Sequence, residues 1–156
     1  MKNRTFMVAA MLIGALALVA TGCGSKKGKY SASKAEFAAA MNSVCVTINN
    51  KLAGIGITGI SDLAGQKGVD YQKAVEDALV SVDKLGSAPD EIKDAVTDFV
   101  KLQKEDLDSF KKVIDAAKAG NDAEAITLAK ALDSNDTQLD ADANTIGAPA
   151  CRSGSS

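Results

Sequence analysis

A repeated spacing of apolar residues constrains the fold of this chain more than any other feature. In four stretches, apolar side chains recur every three or four residues, which places them on one face of an α-helix. No stretch shows the convincing alternation of apolar and polar residues that predicts a half-buried strand. The four series are Phe37, Met41, Val44, Ile48 and Leu52; Tyr71, Val75, Ala78, Val82 and Leu85; Ile92, Val96, Phe99, Leu102, Leu107, Phe110, Ile114 and Ala117; and Ile126, Ala129, Leu132, Leu139, Ala143 and Ile146.

Capping residues and glycines mark the ends of these helices. Ser33 and Glu36 fit a capping box at the start of the first helix. Gly86, Gly120 and Gly147 follow the second, third and fourth helices, where glycine is favoured because it adopts the left-handed conformation that ends a helix. Because most connections are short, the four amphipathic helices predict an all-α fold and, more specifically, an antiparallel up-down four-helix bundle.

The connection between the first two helices, residues 53–68, has a different composition. Five glycines alternate there with isoleucine and leucine. Residues 54–59 match the GxGxxG pattern, but a dinucleotide site needs that pattern between a strand and a helix of a βαβ unit. We therefore expect an irregular crossing whose isoleucines cover one end of the core. The alternative is a mobile apolar loop that contacts a ligand or the membrane surface.

The start of the chain has the layout of a secretory signal. Lys2 and Arg4 precede an uncharged apolar stretch, residues 5–20, which is too short to span a bilayer comfortably. The following residues 19–23, Val-Ala-Thr-Gly-Cys, resemble the lipobox of bacterial lipoproteins, whose cysteine is diacylated before the chain is cut in front of it. Alanine departs from that pattern at the position where leucine is more usual. The alternative is an ordinary signal peptide with a chance cysteine.

The lipobox resemblance implies a division of the chain into four parts. Residues 1–22 would be the signal peptide, and residues 23–32 a basic tether that carries the lipid on Cys23. Residues 33–151 would form one helical domain, followed by a disordered tail at residues 152–156. We expect the mature protein to be held on the extracytoplasmic face of the cell membrane. Three lysines of the tether would lie beside the head groups, either assisting the anchor or simply keeping a linker solvated.

Two cysteines remain once Cys23 is assigned to the lipid. An even number of cysteines in an exported chain predicts a disulfide, which here joins Cys45 to Cys151. Such a bridge closes a loop of about a hundred residues and stabilises the fold by roughly 4–5 kcal/mol in the chain-entropy treatment.

The helical body resembles a loose set of small lipoproteins of high-GC Gram-positive bacteria. The matching features are the Ser-Lys-Ala-Glu-Phe start at residues 33–37, Cys45 midway along the first helix, and the closing Ile-Gly at residues 146–147 with Cys151. The resemblance spans most of the mature chain, but its motifs are short. It implies a helical bundle anchored to the membrane, and it implies no activity, because the members of the set have none assigned.

Composition excludes several classes of function. The chain has no histidine, which rules out Ser-His triads, Cys-His pairs, His-ligated haem and the Glu-x-x-His sites of di-iron bundles. Removing the two bases of the signal changes the formal net charge from −2 to about −4, which argues against a nucleic-acid partner. Nothing in the spacing of the acids assembles a two-carboxylate glycosidase site. We expect no enzymatic activity, no cofactor and no metal.

Residues 133–142 form an acidic stretch. The stretch lacks the glycine and the final glutamate of an EF-hand calcium loop. Asp136 falls on the apolar seam between Leu132 and Leu139, so a buried Asp136 needs either a partner or a raised pKa. Our first interpretation is a buried polar residue that fixes the register of the helices; the second is a contact to a ligand.

Two functions remain open. The first is a structural or interaction module that docks an envelope protein, which is favoured because small apolar side chains usually pack tightly and leave small cavities. The second is a carrier or sensor of a small apolar or lipid-like ligand, which would require a cavity of a few hundred cubic ångströms. We expect such a cavity under the crossing at residues 55–63. The candidate ligand contacts are Phe37, Ile55, Ile57, Ile60, Tyr71, Phe99 and Asp136.

Overall fold

The computed structural model describes residues 33–154, and every regular element among them is helical. The predicted all-α class is therefore confirmed. The predicted signal peptide, the predicted tether and Cys23 lie outside the described residues. The α-helices are α1 (Lys34–Ile55), α2 (Ile60–Leu63), α3 (Gln66–Asp83), α4 (Lys93–Lys118), α5 (Asp122–Leu132) and α6 (Asp136–Ile146), and single 3₁₀ turns lie at Asp90–Ile92, Asp133–Asn135 and Pro149–Cys151.

The fourth predicted helix is divided. A 3₁₀ turn at Asp133–Asn135 separates α5 from α6, so residues 33–154 hold five helices of eleven residues or more. The turn consists of Asp, Ser and Asn, whose side chains compete with the backbone for hydrogen bonds and weaken helix interiors. Ser134 Oγ donates to the Ala131 carbonyl at 2.8 Å. The apolar periodicity continues through this region, which is why the sequence predicted one continuous helix.

The first helix begins as predicted and ends later. Ser33 Oγ accepts a hydrogen bond from the Glu36 backbone N–H at 3.3 Å, and the Ser33 N–H donates to Glu36 Oε2 at 2.9 Å. This reciprocal pair is the capping box. The helix continues to Ile55, three residues beyond the last member of the predicted apolar series, and Gly56 ends it in the left-handed conformation with φ of 63°.

A network of hydrogen bonds orders the crossing between α1 and α3. The carboxylate of Asp62 accepts from the Thr58 backbone N–H at 2.7 Å and from the Thr58 hydroxyl at 2.9 Å. Lys67 Nζ donates to Asp62 at 3.1 Å and to the Gly56 carbonyl at 2.8 Å. The bonds from Thr58, and then that from Lys67, lower the pKa of Asp62 to about 2. The crossing is therefore an ordered connection, held by side-chain hydrogen bonds, that contains the one-turn helix α2.

The buried residues form two separate clusters along the bundle. The first core cluster joins the start of α1, the start of α4 and the end of α6; the second joins α2, the end of α4 and α5. Each half of α4 is thus covered by a different helix of the divided pair. The first core cluster contains Phe37, Met41, Ile92, Phe99, Leu139, Ala143, Ile146 and Ala148, and the second contains Leu63, Val113, Ile114, Ala116, Ala117 and Ala125.

Gly68 allows α3 to turn back closely against α2. It is buried in the first turn of α3, and a Cβ at this position would overlap the backbone carbonyl of Leu63. We predict that Gly68→Ala lowers the free energy of unfolding by about 1–3 kcal/mol, as overpacking of a core does. Urea denaturation followed by circular dichroism measures the change.

Gly54 provides the matched control. It lies on the exposed face of α1, and a Cβ there would meet nothing within 4 Å. Gly54→Ala is expected to raise the free energy of unfolding by roughly 0.5–1 kcal/mol because alanine favours a helix interior. Equal effects of the two substitutions would contradict the packing role of Gly68.

Candidate functional site

A cleft of about 360 Å³ lies between the two core clusters. It occupies the middle of the bundle, where α1 and α3 face α4 and the junction of α5 with α6. Phe99 and Leu139 of the first core cluster border it at one end, and Phe110 and Leu132, which pack against the second, border it at the other. The core is therefore interrupted at mid-height.

The apolar faces of α1 and α3 form two walls of the cleft. Most of these residues belong to the predicted apolar series, yet all but two, Cys45 and Val82, are only half-buried because they border open space. From α1 the lining residues are Val44, Cys45, Ile48, Asn49 and Leu52, and from α3 they are Tyr71, Val75, Ala78, Leu79 and Val82.

The C-terminal segment closes the side of the cleft between α1 and α6. Cys151 is joined to Cys45 of α1, with an S–S distance of 2.03 Å, and this is the predicted disulfide. Asn42 and Asn49 flank Cys45 on the same helix face. The Ala150 backbone N–H donates to Asn42 Oδ1 at 2.8 Å, and Asn49 Nδ2 donates to the Ala150 carbonyl at 2.9 Å.

Asp140 holds the same segment to α6. Its Oδ1 accepts from the Ser153 backbone N–H at 2.7 Å and from the Ser153 hydroxyl at 3.0 Å. Arg152 Nε lies 3.8 Å from Asp140 Oδ2. Residues 151–154 all line the cleft, so the end of the chain is a wall of the site. Of the tail predicted to be disordered, Arg152 and Ser153 make these contacts, and residues 155–156 lie outside the described residues.

An aromatic pair stands beside a carboxylate inside the cleft. The rings of Tyr71 on α3 and Phe110 on α4 have centroids 4.4 Å apart. Burial raises the pKa of the Tyr71 hydroxyl, and the negative charge of Asp106 raises it further. Tyr71 therefore stays neutral and offers a hydroxyl and a ring face to the cleft.

Two carboxyl groups, Asp106 of α4 and Asp136 of α6, line the cleft opposite α1 and α3. Asn135 Nδ2 donates to Asp106 Oδ1 at 2.6 Å. Burial raises the pKa of Asp106 despite that hydrogen bond, and the charges of Asp136 and Glu105 add to the increase. Burial also raises the pKa of Asp136, assisted by Asp133 and Asp140. These carboxyls occupy an environment that disfavours their negative charge.

The structure separates the predicted ligand contacts into two groups. Tyr71, Phe99 and Asp136 line the cleft. Phe37 is buried in the first core cluster, and the isoleucines Ile57 and Ile60 pack against the second, as expected for a crossing that covers one end of the core. Four predicted contacts do not line the cleft: Phe37, Ile55, Ile57 and Ile60. The cleft lies in the middle of the bundle and not under the crossing, where we expected it. Asp136 is partly exposed at the cleft wall, not buried in a tight core.

Several lining residues escaped the sequence reading. Gln103 and Asp106 lie on α4 between apolar residues of the predicted seam. The seam itself skips from Leu102 to Leu107, and that gap was the available signal for a polar site. Asn49, which also lines the cleft, could have been found as a polar residue four after Cys45, on the helix face that the disulfide requires.

A second groove, of about 570 Å³, lies on the outer surface and is more open to solvent. Alanines of α1 and the turn after α6 form much of it. Its lining residues are Lys34, Ala35, Ala38, Ala39, Asn42, Ile146, Gly147 and Pro149. The described residues give this groove no acidic or aromatic side chain, and so offer little to select a ligand.

Within residues 33–154, no helix combines the length and the apolar character needed to cross a bilayer. The same part of the chain contains no group of three or more His, Cys, Asp or Glu side chains placed to hold a metal ion. Comparisons with protein-family models, with curated proteins and with solved structures found no match to this chain. The function must therefore be inferred from the geometry of the cleft.

Asp142 of α6 is a buried acid outside the cleft, with only 6% of its surface exposed. Gln138 Nε2 donates to its Oδ1 at 3.0 Å, whereas Oδ2 has no hydrogen-bond partner among the described residues. Burial raises the pKa of this carboxyl; the hydrogen bond from Gln138 opposes the rise, and the charge of Asp98 adds to it.

We predict that Asp142→Asn raises the melting temperature at neutral pH. A raised pKa means that the unfolded chain ionises this carboxyl more easily, so it destabilises the fold above the ordinary pKa of 3.8 and ceases to do so as the pH falls below it. The advantage of the variant should therefore shrink between pH 7 and about pH 4. Thermal unfolding across this pH range measures the difference in melting temperature between the variant and the native protein. Asp115→Asn, at an exposed position of α4, is the control. A difference in melting temperature that does not change with pH would contradict this account.

Proposed function

We propose that the protein is a lipid-anchored carrier or sensor that binds a small apolar ligand in the cleft between its two core clusters. The observation that supports this function is the cleft itself. Its volume of about 360 Å³ falls within the range of roughly 300–1,000 Å³ that is typical of ligand sites. Its lining combines aliphatic side chains with a few polar groups, which is the usual composition of such sites.

Because of the cleft, we favour a carrier or sensor over the interaction module that the sequence favoured. The sequence-based preference assumed that small apolar side chains would pack tightly through the whole bundle. Instead, Val44, Ile48, Val75 and Leu79 are half-buried beside open space. A ligand that covers them would gain about 25 cal/mol for each Å² of apolar surface removed from water. An envelope protein that receives or delivers the ligand remains a proposed partner.

We also propose that the helices form an up-down bundle whose fourth arm is the divided pair α5 and α6. Support comes from the packing of α5 on the end of α4 and of α6 on its beginning, which is the order expected of an antiparallel arm. The division at Asp133–Asn135 turns Asp133 and Asp136 towards the cleft.

The proposed anchor is a diacylglyceryl group on Cys23, with the domain on the extracytoplasmic face of the cell membrane. The lipobox-like residues 19–23 support it, and so does the Cys45–Cys151 bridge, because disulfides persist in oxidising compartments. We propose neither an enzymatic activity nor a nucleic-acid partner. The lack of histidine and the acidic balance of the chain support both statements.

A substitution that fills the cleft tests the proposed function. We predict that octanol, a neutral apolar probe, binds the lipidated protein held in nanodiscs and that Ala78→Phe abolishes this binding, since Ala78 lines the cleft. Isothermal titration, with empty nanodiscs subtracted, measures it. The control is Val80→Phe, because Val80 is 52% exposed on the outer face of α3. Octanol binding that survives Ala78→Phe would overturn the proposal, and so would a native protein that binds neither octanol nor a charged probe of the same chain length.

A second prediction concerns the anchor. Intact-mass measurement of protein extracted from its own membrane should show a chain that begins at Cys23 and carries a diacylglyceryl group. In Cys23→Ala the lipid should be absent and the domain should no longer sediment with membranes, since loss of the acyl chains removes the stable attachment. A native protein with an unmodified Cys23 would refute the anchor while leaving the cleft unaffected.

A further inference from the structure

Among the described residues that line the cleft, negatively charged side chains outnumber positively charged ones. Three aspartates line it: Asp106, Asp133 and Asp136. Among residues 33–154, Arg152 is the one basic residue in the lining, and its charge is partly balanced by Asp140, which lies outside the cleft. Within the described part of the chain, no lysine lines this cleft. A bound molecule therefore meets a net negative wall.

The negative charge is concentrated opposite the apolar walls. Asp106 accepts a hydrogen bond at 2.6 Å from the side chain of Asn135, the residue that precedes Asp136 in the chain, and both carboxyls line the cleft. The charge of Asp136 raises the pKa of Asp106. The side chain of Asp136 has no hydrogen bond or ion pair with any residue in the range 33–154. Two carboxyls that share one cleft and have so few partners are incompletely compensated.

The aromatic pair lines the same cleft as these acids. Phe110 lies one helical turn after Asp106 on α4, and its ring packs against that of Tyr71 with centroids 4.4 Å apart. Aromatic rings attract cations. A cleft that combines carboxylates with aromatic rings can therefore recognise an ammonium group by two kinds of interaction.

We propose that the occupant of the cleft is a cationic amphiphile, a molecule with an apolar body and a protonated amine. The body lies between Val44 and Ile48 of α1 and Val75 and Leu79 of α3. The ammonium group lies beside Asp106 and Asp136, near the ring of Tyr71. This inference rests on the proposed function and adds the chemical class of the ligand.

An anionic amphiphile such as a fatty acid fits the same walls but not the same head-group site. Its carboxylate would meet Asp106 and Asp136 in a partly dehydrated space, where like charges repel more strongly than in water. A neutral alcohol would fill the apolar part and leave both carboxylates uncompensated. The order of affinity that follows is amine, alcohol, carboxylate.

Three probes of equal chain length test this order on the lipidated full chain in nanodiscs of neutral phospholipid. Octylamine, octanol and octanoate are titrated calorimetrically, with empty nanodiscs subtracted. We expect octylamine to bind about tenfold more tightly than octanol, because a hydrogen bond to a charged group is worth about that factor. Octanoate should bind most weakly.

The double variant Asp106→Asn with Asp136→Asn keeps the shape of the cleft and removes its charge. We expect octylamine and octanol to bind it about equally, because the carboxylates that favour the amine have been removed. Asp83→Asn with Asp115→Asn is the matched control. It removes the same formal charge at two exposed positions outside the cleft, and it should retain the preference for the amine.

The outcomes separate the two proposals. Equal binding of amine and alcohol by the native protein, or a preference that persists in the double cleft variant, would overturn the cationic ligand. The proposed carrier would still stand in that case if Ala78→Phe abolished octanol binding. Absence of binding by all three probes would overturn both proposals.

Discussion

The disulfide between Cys45 and Cys151 is the constraint on which the rest of the structure depends. The helices pack in order, α1 on α3, α3 on α4, and α4 on both α5 and α6. At the level of the cleft, the segment after α6 completes this ring by returning to α1. The bridge, the two asparagines around it and Asp140 hold that segment in place. Without it, the cleft would open between α1 and α6.

Polar residues at seam positions account for the gap between the two core clusters. Gln103 and Asp106 on α4 and Asp136 on α6 lie where a continuous bundle would place apolar side chains. Closing the helices onto them would bury carboxyls without sufficient partners, at a cost of several kcal/mol. The alternative is a space in which these groups keep access to water or to a ligand, while the ends of the bundle pack tightly and maintain its shape.

The charge within the cleft is also what distinguishes it from a simple packing defect. A defect in a core is normally apolar and dry. Here the apolar walls of α1 and α3 face two carboxyls and an aromatic pair. Burial raises the pKa of both Asp106 and Asp136, so this part of the cleft disfavours their negative charge.

The helical class, the capping box at Ser33 and the pairing of the cysteines could be determined from sequence alone, because each depends on local spacing or on a small count of residues. The division at Asp133–Asn135 could not, since the apolar period continues across it and local hydrogen bonding decided against a continuous helix. The position of the cleft could not be predicted from the sequence either. Periodicity identifies the face of a helix that turns inward, whereas only the tertiary structure decides whether that face meets another side chain or an open space.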